Sequence, residues 1–312
     1  MARRIHPVGG KVALITGAAH GIGAAAGHTL AARGARVALL DSDGDAVART
    51  AAACPGSAAF VADVTDRSQV DRALEEVLER FGGVDVVVAN AGIAAMGFAR
   101  FLDPDDFERV IAVNLLGSWN TLWATLPHLV ARRGYALAIS SVTAMIHVPG
   151  LAAYSASKAG LEAMCNALRV EVAHREVDIG VAYFSWIDTA MVRGANRSAL
   201  GSGLLAAAKP PLHRIYPVQD AADAVLRAVE RRSRTVSHPP ALRALLPLRG
   251  VLQPLVDAQL RRLAPGMEAA AERAAARRAE RSGAGCGGAG EIANSGDAGE
   301  IADSQPRAGA RR

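Results

Sequence analysis

Residues 12–23 read VALITGAAHGIG, and the assignment of the fold grows from them. Val12 to Thr16 is a short run of apolar and β-branched residues, the composition of a strand buried on both faces. Glycines at 17, 21 and 23 follow, with His20 and Ile22 among them. Such a turn brings backbone N–H groups up to a pyrophosphate at the start of a helix. The Ala-rich stretch that comes next is read as that helix, ending near Arg33-Gly34, and Arg36–Leu40 as a second strand. Asp41 stands at its end. A carboxylate there accepts hydrogen bonds from both ribose hydroxyls of an adenosine and repels a 2′-phosphate. The neighbouring Ser42 and Asp43 supply no cation for such a phosphate. The unit predicts a dinucleotide site that prefers NAD, with NADP as the alternative. Asp41 has a second reading, as the N-cap of a helix with Asp45 in its first turn.

Working outward, the alternation continues. Ala58–Val61 is a third strand, followed by Asp63-Val64 and a helix from about Asp66 to Phe81. Val84–Ala89 is a fourth strand, ending at Asn90-Ala91-Gly92. Apolar strands alternating with amphipathic helices define an α/β protein with a doubly wound parallel sheet. Ligands of such sheets bind beyond the C-terminal strand ends, at the switch point. Gly17, Asp41, Asp63 and Asn90 all fall at such ends.

A second informative stretch is Tyr135–Gly160, YALAISSVTAMIHVPGLAAYSASKAG. It opens as a strand, Tyr135–Ile139, delivers Ser140 and Ser141, and leads into a helix carrying Tyr154 and Lys158. Residues four apart share a helix face, so a phenol and an ammonium are brought together. A cation beside a tyrosine favours the phenolate and lowers its pKa, which fits it for proton transfer. Asn114, inside FERVIAVNLLGSWN, is a poor helix former in a helical stretch, and its presence there calls for a reason.

Together these residues resemble the short-chain dehydrogenase/reductase family, in its compact branch without a separate substrate domain. The resemblance rests on Thr16-Gly17-x-x-x-Gly21-Ile22-Gly23, Asp63-Val64, Asn90-Ala91-Gly92, Asn114, Ser141 and Tyr154-x-x-x-Lys158, and covers roughly residues 9–235. It implies a Rossmann-like sheet of seven parallel strands and a bound nicotinamide dinucleotide. Tyr154 would be the general acid/base, Lys158 would lower its pKa and hold the nicotinamide ribose, and Ser141 would orient the substrate oxygen. Asn114 would bind a water that links the lysine to solvent. Ile187 and Thr189 match positions expected to meet the nicotinamide carboxamide. The chain departs from the family at Phe184-Ser185, where relatives commonly have Pro-Gly. The family favours homodimers and homotetramers.

Composition bounds the remainder. A chain of 312 residues, 51% hydrophobic, can bury one large α/β domain or two small ones. Cys54, Cys165 and Cys286 have no metal-ligand spacing, so no metal site is expected, and unpaired thiols point to a reducing, cytoplasmic setting. No signal peptide or membrane span is legible. From 231 to 281 there are eleven arginines against four acidic residues. The charge excess thus belongs to a C-terminal extension rather than to the fold, and no nucleic-acid partner is expected.

The sequence divides into a catalytic domain, 1–238, a basic helical extension, 239–281, and a low-complexity tail, 282–312, too rich in glycine to bury a core. The leucine-rich part of the extension, broken by Pro247 and Pro254, has three readings: packed on the body or a partner subunit, a lid, or a helix at a membrane surface. Residues 191–216 read as a mobile lid, and their apolar content points to an apolar alcohol or carbonyl substrate. His147, Arg193 and Arg197 are the candidates for recognising an anion instead. Two functional classes follow: an oxidoreductase acting on an alcohol/carbonyl pair, or a dinucleotide-binding sensor or scaffold of the same fold. An epimerase of the related longer branch is disfavoured by the glycine spacing.

Overall fold

The computed structural model describes residues 5–208, 210 and 212–283. Seven parallel strands form one sheet in the order β3-β2-β1-β4-β5-β6-β7. They are β1 (Val12–Thr16), β2 (Arg36–Asp41), β3 (Ala58–Val61), β4 (Val86–Ala89), β5 (Tyr135–Ser141), β6 (Asp178–Phe184) and β7 (Thr235–His238). Every residue of β1, β4 and β5 is buried, which is why those segments read as unbroken apolar runs.

Helices cover both faces. On one lie α1 (Gly21–Ala31), α2 (Gly44–Ala52) and α9 (Val218–Arg231), packing Leu30, Val47 and Val225 against Ile15 and Leu39. The other carries α3 (Arg67–Phe81), α5 (Gly117–Arg132) and α6 (Ala152–Val172), whose Leu74, Leu129 and Leu161 meet Leu14 and Leu40. Successive β1 residues thus serve opposite cores, as a period of two requires.

Three boundaries differ from the sequence reading. β4 starts at Val86 rather than Val84; just before it the Asp85 main chain donates to the Val12 carbonyl and accepts from the Tyr135 N–H, and its carboxylate accepts from the Val12 N–H at 3.0 Å and from Lys11 Nζ at 3.1 Å. β5 runs through both serines, in register with β6 as far as Ser141 opposite Phe184. The helical stretch around Asn114 is divided into α4 (Pro104–Ile111), a π-helical segment Ala112–Leu116, and then α5.

Two short helices, α7 (Ala190–Arg197) and α8 (Ala199–Ala207), follow β6. After β7 the chain forms α10, Arg249–Gly283, continuous across Pro254 and Pro265. The expected interruption at Pro254 does not end the helix, although an interior proline costs about 3 kcal/mol. The expected tail lies, beyond Gly283, outside the described residues. Among those described, no helix is long and apolar enough to cross a membrane, and Cys54 and Cys165 are buried free thiols. Cys286 lies outside the described residues.

Candidate active site

The order of the strands reverses between β1 and β4, and the crevice beyond their C-terminal ends is the switch point. Asn90 staples that crevice. Its amide donates to the carbonyls of Thr16 and Gly17, each at 3.0 Å, while Thr16 Oγ1 accepts from the N–H groups of Asn90 and Ala91. The two strand ends come so close that a Cβ on Gly17 would stand 2.8 Å from Ala91 Cα, and Gly17 also has φ +65°. A Cβ on Gly23 would stand 2.1 Å from the Gly17 carbonyl oxygen. Both positions therefore require glycine.

Around this staple opens a cavity of about 350 Å³. Gly17, Gly21 and Ile22 line it from the first turn, Asp41 from β2, and Asp63 and Val64 from the end of β3. Asn90, Ala91 and Gly92 line it from β4, and Ser141, Tyr154, Lys158, Ile187 and Thr189 from the other half of the sheet. Three expected residues are not on its wall. Gly23 packs beneath the turn, His20 is the N-cap residue of α1, and Asn114 is fully buried behind the wall. Asp41 is not a helix N-cap; that place belongs to Asp43, whose side chain accepts from the Ala46 N–H. The Asp41 carboxylate accepts from the N–H groups of Ala19 and Asp43 at 2.9 and 3.1 Å.

Asn114 sits in the π-helical segment and ties three elements together. Its Oδ1 accepts from the Ile93 N–H at 2.8 Å, and its Nδ2 donates to the Ile93 carbonyl and to Ser157 Oγ, both at 3.0 Å. Ser157 in turn donates to the Tyr154 carbonyl at 2.8 Å. The Asn114 carbonyl accepts from the Ser118 hydroxyl at 2.8 Å. The side chain expected to serve a water here joins the loop after β4 to the turn that carries the tyrosine.

The two serines separate cleanly. Ser140 Oγ donates to the main-chain carbonyl of Lys158 at 3.1 Å and so anchors α6. Ser141 Oγ accepts from the Thr143 N–H at 3.2 Å and stands with the Tyr154 side chain on one wall. Lys158 Nζ donates to the Ile139 carbonyl at 2.9 Å and lies 5.7 Å from the centre of the Tyr154 ring. Burial holds the Lys158 ammonium down at about 8. Burial also raises Tyr154 to about 12, against a smaller downward pull from Ser141. This reverses the expected sense of the shift: desolvation of the phenol outweighs the cation, whose nearest partner is a carbonyl.

A second cavity, about 360 Å³, meets the first at Ser141 and Tyr154. Its wall is apolar and includes Met96, Leu151, Trp186 and Leu204. The candidates for anion recognition stay out of it. Arg193 is paired with Asp188 at 2.7 Å, and His147 is held through its backbone by Gln253. Sequence reasoning missed Ile93 and Arg109 on the first wall, Ser157 behind it, and the contribution of α10 to the second. For α10 the one available signal was the spacing of Leu252, Val256 and Leu260.

A seven-stranded parallel sheet whose switch-point crevice gathers a glycine turn, Asp41, Ser141, Tyr154 and Lys158 has the architecture of a dinucleotide-dependent oxidoreductase. The sequence pattern of the family described as short chain dehydrogenase matches residues 11–199, and the chain belongs to that family. It is 33% identical over 222 residues to the 3-oxoacyl-[acyl-carrier-protein] reductase FabG of Thermotoga maritima, covering 70% of this chain and 89% of that one. Among solved structures it is similar to a short chain dehydrogenase/reductase from Burkholderia phymatum in complex with NAD, at TM-score 0.70 and 25% identity, over 82% of this chain and 97% of that one. A 3-ketoacyl-(acyl-carrier-protein) reductase from Brucella melitensis complexed with NADH aligns at TM-score 0.66 and 26% identity, over 74% of this chain and 97% of that one.

Proposed function

We propose that the chain interconverts a secondary alcohol and a ketone or aldehyde on an apolar substrate, using NAD, with Tyr154 as general acid/base. One observation carries this reading: Ser141 and Tyr154 both lie on the walls of both cavities, so the polar groups that act on an oxygen stand where the two cavities meet. The residues fit a nicotinamide dinucleotide. The Gly17 turn approaches β4 more closely than any side chain would permit, the start of α1 presents the unpaired N–H groups of a first turn, and Asp41 lies on the same wall. When bound, the nicotinamide supplies or accepts the hydride.

Tyr154 gives a proton to the carbonyl oxygen or takes one from the alcohol. Held near 12, the phenol is protonated at neutral pH, which suits giving the proton and thus reduction. Ser141, fixed by the Thr143 N–H, orients the substrate oxygen. Lys158 sets positive charge near the phenol, and through Asn114 and Ser157 the main chain of Tyr154 is tied to the loop after β4. Asp41 favours NAD over NADP, in keeping with the NAD and NADH of the two similar structures.

Assembly into a homodimer or homotetramer is supported by the exposed Leu116, Trp123 and Val170 in the region of α5 and α6. Replacing Tyr154 by Phe tests the chemistry. NADH-dependent ketone reduction should fall about 10²- to 10⁴-fold in kcat/KM, with NADH affinity kept. An unchanged rate would overturn the mechanism. If NADH binds but no alcohol or ketone is turned over, the sensor or scaffold reading takes its place.

A further inference from the structure

One side of the apolar cavity is built by the segment that follows β7. Leu245 lines it just before α10, and Leu252, Val256, Gln259 and Leu260 line it from α10 itself. This segment lies outside the stretch matched by the family pattern, which ends at residue 199. The Brucella melitensis reductase is matched almost in full by 74% of this chain, so about a quarter of the chain has no counterpart there.

The helix is fastened to the body at separate points. Gln253 accepts from the His147 N–H at 2.9 Å and donates to the His147 carbonyl at 3.1 Å, a two-way bond to the loop between Ser141 and Tyr154. Arg249 pairs with the mostly buried Glu162 of α6 at 2.8 Å, and Arg100 with Glu268 at 3.0 Å. Exposed pairs contribute little energy, but together with Gln253 they fix which face of α10 meets the cavity.

The chemistry of that wall is one-sided. Among the described residues lining the cavity there is no Asp, Glu, Lys, Arg or His. Its hydroxyl-bearing residues, Ser141, Thr143, Tyr154 and Ser185, all come from the segments around the ends of β5 and β6. On α10 the one polar side chain is Gln259, whose Nε2 is engaged by the Ala207 carbonyl at 3.3 Å. We infer that residues 245–260 are the specificity-determining wall of the substrate site, sizing it for an uncharged substrate with its reacting oxygen at Ser141 and Tyr154 and a hydrocarbon tail against Leu252, Val256 and Leu260. This inference rests on the proposed oxidoreductase reading and adds the substrate class to it.

The test is a series of methyl ketones of increasing length, from butanone upward, with NADH. In the unaltered protein kcat/KM should rise roughly two- to fourfold per added methylene until the tail meets α10, and then fall. Val256→Phe should move the optimum to shorter ketones and Leu252→Ala to longer ones, with NADH affinity kept in both. Opposite movement by two variants of one wall is not an effect that general destabilisation produces. If both variants keep the original optimum, the wall is assigned wrongly even though the chemistry stands. If the unaltered protein binds NADH but reduces none of the ketones, the oxidoreductase reading fails. Quenching of Trp186 fluorescence by the same ketones then ranks them without turnover, and an unchanged ranking in both variants overturns the wall.

Discussion

Lys158 shows what the site demands of the fold. It is 4% exposed, and burial alone holds it at about 8, below its ordinary value of 10.5. Between those two values the unfolded chain carries a proton that the folded chain lacks, so stability rises as pH climbs through that window and is lowest where the lysine is charged in both states. Lys158→Met should therefore stabilise the fold at pH 7 by roughly 2 kcal/mol, the burial penalty less the lost bond to Ile139, and should abolish the gain above pH 8. Urea unfolding at several pH values measures this; a less stable variant with the same pH profile would refute it. The same substitution should abolish turnover. At Asp41 the expectation concerns choice of cofactor. Asp41→Ala removes the charge that repels a 2′-phosphate and should raise the NADP-to-NAD ratio of kcat/KM at least tenfold. An unchanged ratio would remove the argument for NAD. The resemblance singled out Ser141, and the structure commits the neighbouring Ser140 to a bond with the Lys158 carbonyl of α6. The sense of the Tyr154 shift was not legible, because desolvation is set by packing from distant segments rather than by the neighbour four residues on.

Elements buried on both faces were the easiest to read. β1, β4 and β5 are continuous apolar runs because each must satisfy a core above and below. The ends were harder, since the Asp85 carboxylate adds bonds to Val12 and Lys11 at the start of β4 that no propensity encodes. The π-helical segment was invisible for a similar reason: intrinsic preference does not distinguish it from an α-helix. Asn114 alone marked the place. In α10 the prolines pointed to a break. The helix persists because its first turns are fastened by Arg249 and Gln253 while Leu252, Val256 and Leu260 pack on one side. These contacts join residues about a hundred positions apart, where local pattern is silent about which face turns inward.

At the scale of the whole molecule, the sheet, its switch point and the dinucleotide crevice were all legible, because separate short segments agreed on one topology. The second cavity was legible in part: residues 191–216 and their apolar content marked one of its walls, while the share of the extension, brought in from far along the chain, was not. Besides Ser141, Tyr154 and Ser185, a helix belongs to both cavities. Met191 and Val192, at the start of α7, line the dinucleotide cavity and the apolar cavity alike. An outward swing of α7 would open both chambers at once, and in the proposed reaction the product and the spent dinucleotide would then share one exit. Turnover would then be timed by that gate rather than by proton or hydride transfer. Added sucrose should slow kcat nearly in proportion to viscosity while leaving kcat/KM for a poor ketone untouched. A kcat indifferent to viscosity would return the clock to the chemistry between Tyr154 and its substrate.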